Sequence, residues 1–193
     1  MSGDRTTTSR RASASSSASD ASRLPELRVE LGKRADGRYL LRCTRRDGSA
    51  SWQLHDQPNA RFFPLHDLTH FAVETTLEIG AGFFGLVAEG WDIADTGGKG
   101  ARGAIPREAV LVEHLVGLFD RERDGTVPRW TAPEFNEQLA LRAEDARFPL
   151  PPPWDDARLD VVRARVGELH QRWRALAPGA SLTLAFDRGK AGG

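Results

Sequence analysis

Hydrophobic and polar residues alternate in three short stretches near the start of the chain. Leu27, Val29 and Leu31 are separated by polar residues, and this period of two is typical of a strand with one buried face. Two similar runs, at 39–43 and 50–54, each follow a turn that contains Asp-Gly. Strand-like runs joined by such turns predict an antiparallel meander.

The middle of the chain instead has the composition and spacing of helices. We predict helices over residues 64–79, 83–91 and 106–119, the first opening at Pro64 and ending at Gly80 and Gly82. Thr131 and Glu134 form a capping box that opens a fourth helix.

A fifth helix is expected after Asp155 or Asp156, with an apolar stripe from 159 to 176. The run 182–186 alternates again and predicts a closing strand, which should join the first sheet because a lone strand cannot satisfy its backbone. The fold class predicted is therefore α+β: a small antiparallel sheet of about four strands packed with about five helices.

Composition sets the expected domain organisation. Residues 1–22 are mostly Ser, Thr, Ala, Arg and Asp without apolar periodicity, which predicts a disordered N-terminal tail. Residues 23–187 are expected to form a single domain, since 193 residues usually make one. Residues 188–193 are predicted to be a flexible C-terminus.

Charge and cysteine content narrow the classes of function. The chain has 27 basic and 27 acidic residues, so no nucleic-acid partner is expected. No apolar run reaches the roughly 20 residues of a transmembrane segment, and the N-terminus lacks the apolar core of a secretory signal. With Cys43 as the only cysteine, we expect a reducing, cytoplasmic location. Arginine far outnumbers lysine, which indicates a GC-rich bacterial genome.

One run, residues 65–70, carries candidate chemistry. His66 and His70 stand four residues apart, and on a helix such a pair lies on one face and can reach a single zinc ion. A helical wheel places both imidazoles in one sector with the carboxylates of Asp67, Glu74 and Glu78, and this sector begins inside the apolar face. We therefore predict a site for zinc or another divalent metal.

The remaining ligands are less constrained by the sequence. Glu74 extends the histidine stripe, and Glu89 lies on the next helical piece, which a turn at 80–82 would bring alongside. Either would be a third ligand. Asp67 takes the place of the Glu in H-E-x-x-H proteases, so its predicted role is catalytic, as the base that activates water, or that of a ligand. His114 is a weaker ligand candidate.

The element His66-Asp67-x-x-His70 resembles the zinc-ligand motif of the coenzyme Q biosynthesis scaffold family. In that family a Glu follows after eleven residues, whereas this chain has Gly82 there and its next acid on the second helical piece is Glu89. The resemblance implies lipid or quinone handling around a metal. The longer run 63–70 also resembles an uncharacterised bacterial family, which implies no activity.

Three functions follow as hypotheses. The first is a metal-binding, zinc-type protein that acts on a small molecule as a hydrolase. The second is a non-catalytic binding or interaction protein in which His66, Asp67 and His70 form a structural polar network. The third is a lipid or quinone binding protein. The sequence leaves the substrate and oligomeric state open.

Overall fold

The structure is a computed structural model that describes residues 24–98, 102–144 and 151–188. The predicted tail at 1–22 and all but one residue of the predicted flexible C-terminus lie outside these ranges. Within them, four strands form one antiparallel sheet in the order β3-β2-β1-β4. The strands are β1 (Leu27–Lys33), β2 (Tyr39–Arg45), β3 (Ala50–His55) and β4 (Ser181–Phe186).

Five α-helices lie in the described part of the chain, which confirms the predicted α+β fold class. They are α1 (Asn59–Thr76), α2 (Phe83–Ala88), α3 (Arg107–Arg123), α4 (Ala132–Ala140) and α5 (Asp156–Ala175). Short 3₁₀ turns occupy Ile93–Asp95 and Leu141–Glu144.

The sheet buries one face against the helices. Leu27, Val29 and Leu31 of β1 are buried, as are Leu41 and Cys43 of β2. The alternate residues point to the open face, where Trp52 of β3 is 64% exposed. The predicted alternation is thus confirmed, and β4 pairs with β1 as expected.

The helix α1 is the central element of the helical layer. It packs against α3, α5 and the strands β2 and β3. Its residues from Asp67 to Glu74 are all buried, so polar side chains in this stretch must find partners within the protein. The partners of these polar side chains define the candidate site described below.

The bounds of α1 differ from the prediction at both ends. The helix begins at Asn59 rather than at Pro64, which lies inside it. A proline lacks one N–H donor but has a helical φ, so a helix can contain it near its start at the loss of one hydrogen bond. At the other end the helix stops at Thr76, and Glu78 adopts a left-handed conformation with φ of 55°.

The glycines after α1 therefore serve close packing rather than termination. A Cβ at Gly85 would overlap the backbone carbonyl of Gly80, and one at Gly82 would overlap the side chain of Glu74. These glycines let α2 fold tightly back onto α1, the close approach for which glycine is suited.

The other helices match their predictions more closely. The capping box of Thr131 and Glu134 is present, and Asp155 caps α5 by accepting a bond from the Arg158 N–H. The second helix ends at Ala88 rather than Trp91, and α3 continues to Arg123 rather than Phe119. Among the described residues, no helix combines the length and apolarity needed to cross a bilayer.

Candidate metal centre

The helices α1 and α3 bring histidines and acids face to face. His66 lies against Asp120, and His70 lies one turn later against Glu113, which is earlier on α3. The two helices therefore run antiparallel at this point. An i,i+4 pair on one helix meets an i,i+7 pair on the other, so both pairs lie along facing stripes.

Three of these side chains converge. Each of His66, His70 and Glu113 offers one ligand atom, and these atoms lie within 4.8 Å of one another. Zinc bonds of about 2.1 Å at tetrahedral angles place ligand atoms about 3.4 Å apart. The group is therefore slightly wider than a closed site. Glu113 is the member free to close it, because its side chain is 46% exposed.

His66 is oriented by a carboxylate. Its Nδ1–H donates to Oδ2 of Asp120 over 2.7 Å, and the other oxygen of Asp120 accepts from Arg123. Burial lowers the pKa of His66, but the hydrogen bond and the charge of Asp120 outweigh it, so the pKa is raised. A carboxylate on Nδ1 leaves Nε2 as the nitrogen available to a metal.

His70 is the least satisfied polar side chain of the group. Its side chain is 2% exposed, and its Nδ1 makes no hydrogen bond within the described residues. Nε2 lies 3.7 Å from the Glu113 carboxylate, and Nδ1 lies 3.7 Å from that of Glu74. Burial lowers the pKa of His70 to about 4, so the ring is neutral near pH 7, the form that binds metals.

Asp67 lies apart from this group, on the side of α1 that faces the sheet. Its Oδ2 accepts a 2.7 Å hydrogen bond from the Tyr39 hydroxyl. The carboxyl is 5% exposed, and burial raises its pKa to about 7. The structure thus pairs Asp67 with Tyr39 and does not bring it into the group that holds the two histidines.

Glu74 holds the turn between α1 and α2. Its carboxylate accepts the backbone N–H groups of Phe84 and Gly85 at 3.2 and 3.1 Å. Burial raises its pKa to about 8, against the opposing effect of these bonds. Glu74 therefore caps the start of α2 and also lies beside His70, without joining the group of three.

Glu89 is not placed with the histidines. It is exposed and lines a separate surface depression with Arg45 and Arg46. The physical reason is the short α2: the helix ends at Ala88, and the chain turns at Gly90, whose φ is 106°. Among the described residues, the only metal-type group contains neither Glu89 nor His114.

Sequence reasoning missed Glu113 and Asp120. Glu113 lies on the predicted third helix and Asp120 lies one residue beyond its predicted end, and in the longer observed helix the two acids stand two turns apart on one face. What the sequence did not supply was the partner of α1. Nothing in a single sequence states that α3 rather than α2 covers the histidine stripe.

No protein-family model, curated protein or solved structure matches this chain. The resemblances to the coenzyme Q scaffold family and to an uncharacterised bacterial family thus stay predictions. The function must be argued from the site itself.

The chemistry available here is that of an open metal site. Two imidazoles and one carboxylate are the donor set of several catalytic zinc centres, which keep a fourth position for water. The residues fit such an ion because His66 and His70 each have a carboxylate beside Nδ1, at 2.7 and 3.7 Å. Carboxylates in that place orient metal-binding histidines and raise their basicity.

Proposed function

We propose that this chain is a divalent-metal-binding protein of the zinc type, whose ion is held by His66, His70 and Glu113. The observation that carries the proposal is the convergence of these three ligand atoms within 4.8 Å of one another, with His70 buried and neutral among them. A metal bound at Nε2 of His70 would fix the ring proton on Nδ1, which lies 3.7 Å from the Glu74 carboxylate.

The surrounding residues support a defined role for each ligand. Asp120 orients His66, and Arg123 in turn fixes Asp120. Glu74 lies on the Nδ1 side of His70. With three protein ligands, a zinc ion would keep a fourth position for water and would lower the pKa of that water towards about 7. The reaction class that follows is hydrolysis of a small molecule.

This proposal differs from the sequence prediction in its third ligand and in its base. Glu113 takes the place predicted for Glu89 or Glu74. Asp67 is given no catalytic role, because its carboxyl is buried and bonded to Tyr39.

A metal titration of untagged, chelator-stripped protein tests the proposal. Cobalt is the probe, since tetrahedral Co²⁺ absorbs visible light, and zinc is then added in competition. We expect one equivalent to bind with a Kd below about 1 μM. His66→Ala and His70→Ala should each weaken binding at least about 100-fold, and Asp120→Asn about 10–100-fold.

Matched controls lie on the same helix as Glu113. Glu108→Gln changes an exposed acid of α3, and His114→Gln changes a histidine outside the group. Both should bind cobalt like the wild type, whereas Glu113→Gln should bind about tenfold or more weakly. If His70→Ala binds as the wild type does, the metal lies elsewhere and the proposal fails.

The alternative of a structural polar network rests on a specific observation. His66 already has a full hydrogen bond to Asp120, and that bond needs no metal. This alternative predicts less than about 0.1 equivalent of cobalt bound at micromolar concentrations. The lipid or quinone alternative stays a prediction, and extraction of co-purified lipid is its test.

A further inference from the structure

A cavity lies beside the first turns of α1. Its volume is about 370 Å³, which is within the lower range of small-molecule sites. Three elements form its wall: the β1–β2 turn, the first turns of α1 and the end of α5. None of the residues proposed to bind metal lines it.

The wall of this cavity is basic. Four cationic side chains line it and no acidic residue does: Lys33, Arg38, Arg61 and Arg174. This is a local concentration of positive charge in a chain whose net charge is zero. A concave wall of one sign focuses the field and attracts ions of the opposite sign.

Two of the four cations are already engaged. Arg38 is paired with Asp36, which accepts two bonds from its guanidinium. Lys33 donates to the carbonyls of Trp173 and Leu176 at the end of α5, at 2.9 and 2.7 Å. These carbonyls carry no net charge, so they form no ion pair with Lys33, which covers the negative end of the α5 dipole.

The other two cations are available to a ligand. Arg61 on α1 and Arg174 on α5 are both exposed, and the side chain of neither makes an ion pair or hydrogen bond within the described ranges. They approach the cavity from different helices. The first turn of α1, which lines the cavity through Ala60 and Arg61, holds no acidic residue; the acid before it, Asp56, does not line the cavity.

We propose that this cavity binds the phosphate group of a small phosphate-bearing molecule, with Arg61 and Arg174 as its two ligating side chains. Guanidinium groups bind phosphate oxygens through paired hydrogen bonds. Lys33 adds a fixed charge at the back of the cavity. Leu65 and Trp173 form an apolar part of the wall, against which the organic part of an ester rests.

The test is a titration with inorganic phosphate and, separately, with phenyl phosphate, in which ¹H–¹⁵N NMR monitors the amide signals of the protein. The protein is stripped of metal and freed of chelator by gel filtration, so that no metal-bound phosphate contributes. The buffer holds about 0.15 M NaCl, where the Debye length is about 8 Å and distant charges are screened. We expect a Kd of about 1 mM or below, with shifts at the amides of Gly37, Arg38 and Arg61.

Two double variants of equal charge decide the outcome. Arg61→Gln with Arg174→Gln should weaken phosphate binding at least about tenfold. Arg28→Gln with Arg42→Gln removes the same charge from the open face of the sheet and should leave Kd within about twofold. All four side chains are exposed, so circular dichroism should show both variants folded.

Three results would overturn this inference. Binding that does not saturate by about 10 mM phosphate would mean that no site exists. An equal loss in both double variants would show only nonspecific attraction. Failure of phenyl phosphate to bind would exclude a phosphate ester. Since the measurement uses metal-free protein, none of these results bears on the proposed metal site.

Discussion

Two pairs of polar residues on α1 differ in how completely the fold satisfies them. The inner acids, Asp67 and Glu74, point into the protein and each has a hydrogen-bond donor: the Tyr39 hydroxyl for one and the α2 amides for the other. The histidine pair, His66 and His70, faces α3. His66 donates through Nδ1 to Asp120, whereas Nδ1 of His70 makes no hydrogen bond within the described residues.

This difference distinguishes the side chains of α1 that stabilise the fold from those that remain available to a ligand. A buried acid that is fully paired contributes to folding, and its removal leaves its donors unpaired. A buried imidazole that stays unpaired destabilises the fold unless something else binds it. We therefore propose that the inner acids stabilise the fold and that the histidine pair binds the metal.

The largest expected effect is that of Glu74→Ala. This substitution removes the acceptor of two buried N–H groups, and the free energy of unfolding should fall by about 3 kcal/mol. Urea unfolding of metal-free protein measures it. Glu137→Ala, at an exposed position of α4, should change stability by less than about 0.5 kcal/mol. A loss below about 1 kcal/mol for Glu74→Ala would break the assignment of this acid to folding.

A third histidine, His170, is buried and hydrogen-bonded, and we expect it to make the stability of the fold depend on pH. His170 is buried, and its Nε2–H donates to the carbonyl of Leu65 over 2.9 Å. Burial, with a smaller effect of Arg123 and Arg174, lowers its pKa to about 4. As the pH falls from 6.5 towards 4, the unfolded chain takes up a proton at this residue and the folded protein does not, so stability falls.

The matching variant is His170→Gln. Between pH 7 and pH 5 it should lose about 2 kcal/mol less stability than the wild type. It should bind cobalt with unchanged affinity, since His170 lies outside the metal-type group. Urea midpoints at both pH values measure the difference. Identical pH dependence in the two proteins would show that His170 is protonated alike in the folded and unfolded states.

The smallest effect is expected for Tyr39→Phe. It removes the hydroxyl that donates to Asp67, and the free energy of unfolding should fall by about 1 kcal/mol. Cobalt affinity should stay within about twofold of the wild type, as expected for a group that is no ligand. Lost cobalt affinity with unchanged stability would instead place Asp67 in the metal site and would contradict its proposed role in folding.

The local elements of the fold could be predicted because their causes are local. Alternation of side chains specified the strands, and the Thr131–Glu134 pair specified a helix start. The ends of α1 were predicted wrongly. Pro64 resembled a helix start although it lies inside the helix. The glycines after the helix do not end it: Gly82 and Gly85 allow close contacts with Glu74 and Gly80.

The site could be predicted only in part for a similar reason. The spacing of His66 and His70 is a property of one helix, and the structure does place them on one side of it, with ring centroids 4.8 Å apart. Glu113 and Asp120 come from more than 40 positions away along the chain. Their contact depends on how helices pack, which one sequence without relatives does not specify.

The central claim is that His66, His70 and Glu113 bind one metal ion. Anomalous diffraction at the zinc absorption edge, from crystals of untagged protein grown with zinc, tests it most directly. We expect one anomalous peak between α1 and α3, within about 2.0–2.2 Å of a nitrogen of each histidine and an oxygen of Glu113. A peak held by other residues, or none at this place, would contradict the account.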